Sequence, residues 1–433
     1  MIIEAFEADG FRNLTGLALR PHPSLNLVVG PNGAGKSSVL EAIQCLATGV
    51  GFRSRRYRDH LAHEAEEYVL RAELSDPIDG RAHRCGVRRG RDGTLDARLD
   101  YEPVSSFADI ARVMPVKVLT PDSHLVVQGA PDERRRFLDW GCFHAEEAFL
   151  PAWRRYRRAL SQRNELLRDG ASDREVAAWD EALERDGTRL HELRSRYVFQ
   201  FARHVKKRAQ SVDFQFHVKL DLRSGWSRDL ALGDALVRNL ELHRRMRTTT
   251  DGPHRAELVI RAGDHPARDV LSRGQQKLLV HLMHLAQLDV LAGGTGEGEA
   301  GDGEAAGEGA TRDRSESDAG STERGPAPPI EVEAGSSTDR GGRGTPGARA
   351  RPGPVRRRPI VLCDDLASEL DERAARVLLD ALVESGSQVF VAGTSLPASL
   401  AAAPSGTTLD GTETPDPIRP CAVFELDAGR LLG

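Results

Sequence analysis

An α/β fold built around a phosphate-binding loop is predicted by three observations. The first is Gly30-Pro31-Asn32-Gly33-Ala34-Gly35-Lys36-Ser37, which fits G-x-x-x-x-G-K-[ST] at every position. A short apolar run at residues 25–29 precedes it, and residues 38–46 follow with apolar side chains at helical spacing. The second is Ile360-Val361-Leu362-Cys363-Asp364-Asp365, an apolar strand ending in two carboxylates. The third is the strand–helix–strand pattern across residues 360–392, which suits a parallel sheet.

The loop chemistry follows from residue types. Glycines let the backbone curl so that its N–H groups converge on a phosphate. The helix that follows turns the positive end of its dipole to the same group. Lys36 reaches the β- and γ-phosphates, and the Ser37 hydroxyl can ligate Mg²⁺. Gly30, Pro31, Asn32, Gly33, Ala34, Gly35, Lys36, Ser37 and Ser38 are therefore the candidate ATP-binding set. In the acidic strand end, the shape of a Walker B element, Asp364 is placed to hold the Mg²⁺ shell. Asp365 is placed to polarise the attacking water. Lys36, Asp364 and Asp365 are the candidate catalytic residues, with Ser37 and Asp364 as metal ligands.

The remaining elements are read in chain order. Residues 1–30 read as strand, turn and strand, with Phe11-Arg12-Asn13 in the turn. Residues 68–74 alternate like a strand, glycine turns follow near Gly80 and Gly93, and residues 114–119 give another strand. From about 132 to 210 the pattern is helical. Phe149, Trp153, Tyr156, Leu160 and Leu167 form one stripe; Trp179, Leu183, Leu190, Leu193, Tyr197, Phe201 and Val205 form a second. Ser172 is an expected N-cap between the two. Alternation from Val212 to Leu222 predicts a strand, Leu258 and Ile260 begin another, and Ser272 opens a helix. Residues 293–358 contain no Phe, Trp, Tyr, Leu, Met, Cys or Lys. They cannot bury enough apolar surface to offset chain entropy, so disorder is expected there. A second loose segment is expected at about 397–419.

Composition narrows the function. The 433-residue chain has room for two or three compact units, and its net charge of −5 argues against a generally basic nucleic-acid binder. Of the 60 basic residues only six are Lys (36, 117, 206, 207, 219 and 277), so an Arg cluster carries less information than usual. The five cysteines form no C-x-x-C pair, against a zinc site or a disulfide framework. No apolar run approaches the roughly 20 residues of a membrane span, and no signal-peptide pattern opens the chain. A cytoplasmic protein is expected.

Leu271-Ser272-Arg273-Gly274-Gln275-Gln276 opens a helix with a hydroxyl, backbone N–H groups and a dipole directed at an anion. Taken with Phe11-Arg12-Asn13, the phosphate loop, the helical insertion, Asp364-Asp365 and Ser368-Glu369-Leu370-Asp371, in that order, the chain resembles the SMC-like ABC ATPases. It is similar more narrowly to their bacterial recombination mediators. Gly51-Phe52-Arg53-Ser54, Arg134-Arg135-Arg136-Phe137-Leu138-Asp139-Trp140, Gln162-Arg163-Asn164 and Gly252-Pro253-His254-Arg255 carry the narrower match.

The resemblance implies an ABC-type ATPase head (lobe I) with a helical-hairpin lobe II and a disordered insertion. Lobe I would span 1–140, 212–292 and 359–433, lobe II 141–211, and the insertion 293–358. It implies two heads closing around two ATP molecules, with Ser272, Gly274 and Gln275 of one subunit completing the site of the other. Arg12 and Asn13 would touch the nucleotide. It further implies slow ATP hydrolysis acting as a switch, and DNA binding at single-strand gaps and single-strand/double-strand junctions. Partners would be RecR, with RecO and RecA in the same pathway of repair, replication-fork recovery and SOS response. Three departures stand out. Such heads usually lack a long insertion after the signature helix. They commonly carry Glu where Asp365 stands. Their loop glutamine has no clear counterpart, with Gln128 and Asp122 near its position.

DNA contacts would draw on Arg53, Arg55, Arg56 and Arg58; Arg154, Arg155, Arg157 and Arg158; Lys206, Lys207 and Arg208; and Arg244, Arg245 and Arg247. No basic–aromatic interleaving suggests base stacking, so backbone and shape recognition is expected. His254 reads either as a phosphate or DNA contact or as a structural turn histidine. Two other machines share part of the pattern. One is the nucleotide-binding subunit of another ABC-type machine such as a transporter, and the other is a phosphate-loop kinase that has no use for Ser272.

Overall fold

The computed structural model describes residues 1–212, 214–293, 358–365, 372–393 and 421–432. Strands β1 (Ile2–Asp9), β2 (Leu17–Leu19) and β3 (Leu25–Val29) lead to helix α1 (Lys36–Thr48). Strands β4 (Glu67–Ser75), β5 (Ala82–Gly90), β6 (Leu95–Leu99) and β7 (Glu102–Pro103) follow. Next come α2 (Phe107–Val113), β8 (Val116–Leu119), α3 (Leu125–Gln128) and α4 (Pro131–Ala145). The long helical stretch is α5 (Phe149–Asp169), α6 (Asp173–Ala177) and α7 (Asp180–Ser211). It gives way to β9 (Val218–Arg223), α8 (Leu232–Arg238), α9 (Leu240–Met246), β10 (Glu257–Ala262), β11 (His265–Pro266), α10 (Ala267–Val270) and α11 (Arg273–Gly293). The last elements are β12 (Ile360–Asp364), α12 (Glu372–Glu384), β13 (Val389–Gly393), β14 (Cys421–Asp427) and β15 (Arg430–Leu431).

Two six-stranded sheets enclose α1. One has the order β15-β14-β3-β13-β12-β8, parallel except for the β14–β15 hairpin. Its central strands are covered on both faces, which is why Ile360–Cys363 and Val389–Phe390 are continuous apolar runs, each residue fully buried. The other sheet, β2-β1-β4-β5-β6-β7, is antiparallel. Its strands alternate buried and exposed residues, as the period-2 pattern of residues 68–74 predicts. Val39, Leu40, Ala42, Ile43 and Leu46 of α1 fill the space between the sheets in one shared core. Leu40 and Ile43 are fully buried, each contributing about 1.5–3 kcal/mol. On the opposite face of the parallel sheet, Leu285 and Leu288 of α11 meet Leu378, Leu379 and Leu382 of α12.

The two expected helical stripes are the buried faces of α5 and α7, with Trp179 packed at their margin. Ser172 caps α6 in a reciprocal box with Glu175. Buried ion pairs fix this unit. Arg194 donates two hydrogen bonds to Asp139 (2.8 and 2.9 Å) and one to the Pro253 carbonyl (2.6 Å). Arg163 donates to Asp180 (2.7 Å) and to Thr249 (2.9 Å).

Two expectations change here. The strand predicted from Val212 begins only at Val218. Helix α7 runs to Ser211, and the Phe214 N–H bonds back to the Ala209 carbonyl, so the first part of the alternation belongs to the end of the helix. The strands assigned to lobe I within 212–292 form a separate sheet, β11-β10-β9. Leu258 and Ile260 of that sheet share a core with the helical hairpin, not with the ATPase sheets. Residues 294–357 of the expected insertion, the loose segment at about 397–419 and Ser368-Glu369-Leu370-Asp371 lie outside the described residues, while Gly293 ends α11. Among the described residues no helix is long and apolar enough to cross a membrane, and the five cysteines are free.

Candidate nucleotide site

The site lies at the carboxyl ends of the parallel strands, where open α/β sheets bind ligands. The phosphate loop leaves β3, the acidic pair ends β12, and β13 runs between them. A cleft of about 930 Å³ opens there, lined by Arg12, Asn13, Asn32, Gly33, Gly35, Lys36, Ser37 and Ser38 from the first half of the chain. Asp364 and Asp365 line the same cleft. Two separately predicted motifs are thus brought together by the fold.

The loop is held in shape from several sides. Gly35 opens α1 at φ 101°, a conformation that L side chains rarely adopt. Asn13 braces the loop with one side chain: its Nδ2 donates to the Gly33 carbonyl (3.0 Å), and its Oδ1 accepts from Ser38 Oγ (2.8 Å). Lys36 Nζ donates to the Gly30 and Pro31 carbonyls, both at 2.8 Å. Gly30 and Pro31 thus act through their carbonyls, and Ala34 is buried beneath the loop. Arg12 reaches the cleft from a left-handed turn (φ 53°) and is ion-paired to Glu41, whose side chain is fully buried. Glu41 also accepts from the backbone N–H groups of Arg53 (3.1 Å) and Ser54 (3.3 Å). It therefore ties the loop bearing Arg53, another cleft residue, to the nucleotide helix.

The acidic pair fits a divalent cation. Asp364 is buried, and its Oδ1 has no hydrogen-bond partner among the described residues. Burial raises its pKa, while a hydrogen bond from Ser37 and the charge of Arg53 pull it back down. A hard oxygen site of this kind, with a hydroxyl alongside, suits Mg²⁺. Asp365 follows in the left-handed region (φ 52°), an uncommon conformation that re-aims its carboxylate at the strand end.

Sequence reasoning missed several lining residues: Phe52, Thr120, Pro121, Ala392 and Gly393. The signal for the last two was available, because the strand between the two motifs must also end at the cleft. Of the two candidates for the loop glutamine, Asp122 lines the cleft, whereas Gln128 bonds Gln276 at the start of α11 (2.6 Å).

Ser272, Gly274 and Gln275 are not among the cleft residues. Ser272 is exposed and caps α11, its Oγ accepting from the Gln275 N–H (3.3 Å) while Gln275 Oε1 accepts from the Ser272 N–H (2.9 Å). A Cβ added at Gly274 would meet nothing within 4 Å, so the surface over this turn is open. His254 is structural. It bonds Tyr156 (2.6 Å) and the Thr249 carbonyl (2.9 Å), and burial drives its pKa to about 3.

Several basic side chains proposed for DNA are engaged within the chain. Arg155 pairs with Asp186, Arg208 with Asp289 and Arg244 with Asp173, while Arg157 lies over Trp153. Arg53, which lines the cleft, and Arg55, Arg56 and Arg58 are exposed, and Lys206 and Lys207 are exposed on α7.

The family model for the RecF/RecN/SMC N-terminal domain matches residues 2–292. The chain is 33% identical to the DNA replication and repair protein RecF of Azotobacter vinelandii, over 97% of this chain and 95% of that one. It is 30% identical to the RecF of Shewanella denitrificans, over 100% and 99%. A solved structure of the recombination mediator protein RecF-ATP in the RecFOR pathway superposes with a TM-score of 0.73 at 20% identity, covering 99% of this chain and 96% of the other, which shows the fold. The chain belongs to the RecF family and carries its ABC-type ATPase fold.

Proposed function

We propose that this protein is an ATP-gated, DNA-binding recombination mediator in which ATP joins two copies of the chain and hydrolysis releases them. One observation carries the reading. The phosphate loop and the acidic pair form one cleft, while Ser272 stands exposed outside it on the same chain. A site that lacks its signature serine in cis is completed by a second copy. Relatives named for DNA replication and repair, and a fold-mate described in the RecFOR pathway, support the process. The DNA this protein would act on is single-strand gaps and single-strand/double-strand junctions, with RecO and RecR as partners and RecA loading as the outcome.

In this reading the loop N–H groups and the dipole of α1 bind the phosphates. Lys36 exchanges its two carbonyl partners for β- and γ-phosphate oxygens. Ser37 and Asp364 hold Mg²⁺, which when bound neutralises charge on the phosphates. Asp365 orients the attacking water, and Ser272 with the α11 N-terminus closes on the γ-phosphate from the partner copy. Asp365 is one methylene shorter than Glu, so turnover stays below about 10 s⁻¹, the median for enzymes. DNA binding falls steeply with salt, because it rests on phosphate contacts.

Light scattering tests this directly. The wild type is expected to be monomeric without nucleotide and dimeric with ATP and Mg²⁺, while Lys36→Met and Ser272→Arg stay monomeric. A wild type that binds ATP yet remains a monomer, with gapped DNA present or absent, would remove the composite site and favour a kinase or another ABC-type machine.

A further inference from the structure

The β14–β15 hairpin does more than end the parallel sheet. Strand β14 pairs in parallel with β3, from Cys421 beside Leu25 to Glu425 beside Val29, so both strands arrive at the phosphate loop together. Leu426 is fully buried, and its carbonyl oxygen lies 2.3 Å from where a Cβ on Gly30 would sit. The chain then turns through Ala428 (φ 46°) and Gly429 (φ 83°), and the Gly429 N–H donates to the Ala34 carbonyl inside the loop (2.9 Å). A Cβ on Gly429 would stand 1.7 Å from the Asn13 carbonyl oxygen. The hairpin tip thus touches both the loop and the residue that braces it from the other side. The Leu432 N–H closes the hairpin onto the Glu425 carbonyl (2.8 Å).

We propose that Gly429 is a positioning residue for nucleotide binding: the hairpin tip sets the backbone path of the phosphate loop, and only glycine allows the approach. This rests on the nucleotide reading above. Gly429 meets no phosphate itself; it acts through Ala34 and Asn13. Two features at this position exclude other residues. The φ of 83° disfavours L side chains, and the 1.7 Å contact is with backbone, which cannot rotate away as a side-chain end would. A larger residue must push the tip off the loop, breaking the bond to Ala34.

The test is titration of a fluorescent ATP analogue, reading affinity and binding stoichiometry separately. Gly429→Ala is expected to raise Kd at least about tenfold with stoichiometry retained, a loss of preorganisation and not of folded protein. Gly429→Asn accommodates a left-handed φ but keeps the Cβ, so it is expected to behave like Gly429→Ala. Gly263→Ala carries comparable backbone strain (φ 63°) with nothing within 4 Å, and its Kd should match wild type. A fall in stoichiometry at unchanged Kd would reduce Gly429 to a fold determinant and overturn the proposal. An unchanged Kd and stoichiometry, or rescue by Asn, would overturn it as well. Should both Gly429 variants fail to fold, hydrogen exchange on wild type decides. Peptides covering 421–432 must gain protection with ATP alongside those covering 30–38; a hairpin that does not respond contradicts the proposal. A wild type that binds no ATP would overturn the nucleotide reading itself, and this inference with it.

Discussion

Removing the Asn13 side chain is the sharpest perturbation of the loop brace. Asn13→Ala deletes two hydrogen bonds at once, to the Gly33 carbonyl (3.0 Å) and from Ser38 Oγ (2.8 Å). Each neutral bond contributes about 0.5–1.5 kcal/mol net, so about 1–3 kcal/mol is at stake. Asn13 and its bond to the Gly33 carbonyl are exposed, and that carbonyl can be rehydrated, so the lower half of that range is expected. Loss of loop order must be recovered when nucleotide binds, which raises Kd for ATP roughly five- to tenfold. The brace is local to the phosphate loop, so thermal stability should move little. Ser38→Ala removes only one of the two bonds and is expected to cost about half as much. Because the two residues share that bond, the double variant should weaken binding less than the sum of the singles. The assay is fluorescent ATP titration beside thermal melts. Additive effects, or a Kd within twofold of wild type for Asn13→Ala, would refute the brace.

Other expectations concern the metal, the core and pH. Asp364→Asn keeps the shape of the acidic strand but removes a Mg²⁺ ligand; Mg²⁺-dependent ATP binding should weaken, and the ATP-driven dimer should be lost, as read by light scattering across a Mg²⁺ series. Arg194→Met leaves Asp139 buried without its bidentate partner and should cost about 3–5 kcal/mol in urea unfolding; a loss under 1 kcal/mol would mean that the pair is not a strut. Acid should destabilise the chain early. Burial holds His254 and His144 to a pKa of about 3 against 6.5, so the folded state binds fewer protons than the unfolded state as pH falls below 6.5. Each then loses about 2 kcal/mol by about pH 5, seen as a falling urea midpoint; a midpoint flat over that range would contradict the neutral, buried assignment.

What could be read in the sequence was local and periodic. The loop 30–37 with its flanking strand and helix, the strand into Asp364, the Ser172 cap and the stripes of α5 and α7 each announce themselves within a dozen or so residues. What could not be read depends on approaches between distant segments. No local pattern says that Gly429 lies against Asn13 and Ala34, or that Glu41, the one carboxylate on α1, is the buried partner of Arg12. The partners of the basic clusters are equally invisible to a local pattern. Arg208 stands beside two lysines in sequence but is held by Asp289 from another helix. The strand drawn from Val212 failed because alternating Phe214 and Phe216 fit the period-2 template, while the long α7 and the turn after it already accounted for the first residues.

The most direct test of the composite site is to mix two inactive variants. Lys36→Met loses phosphate binding in its own cleft, and Ser272→Arg loses the contribution to the partner's cleft. A mixed dimer pairs the intact phosphate loop of the Ser272→Arg chain with the intact serine of the Lys36→Met chain, so it regains one complete site that neither variant has alone. Each variant is expected to be inactive by itself, and ATP turnover is expected to reappear when they are mixed, rising with the concentration of both. Turnover that stays absent in the mixture, or that Ser272→Arg retains without its partner, would contradict the composite site.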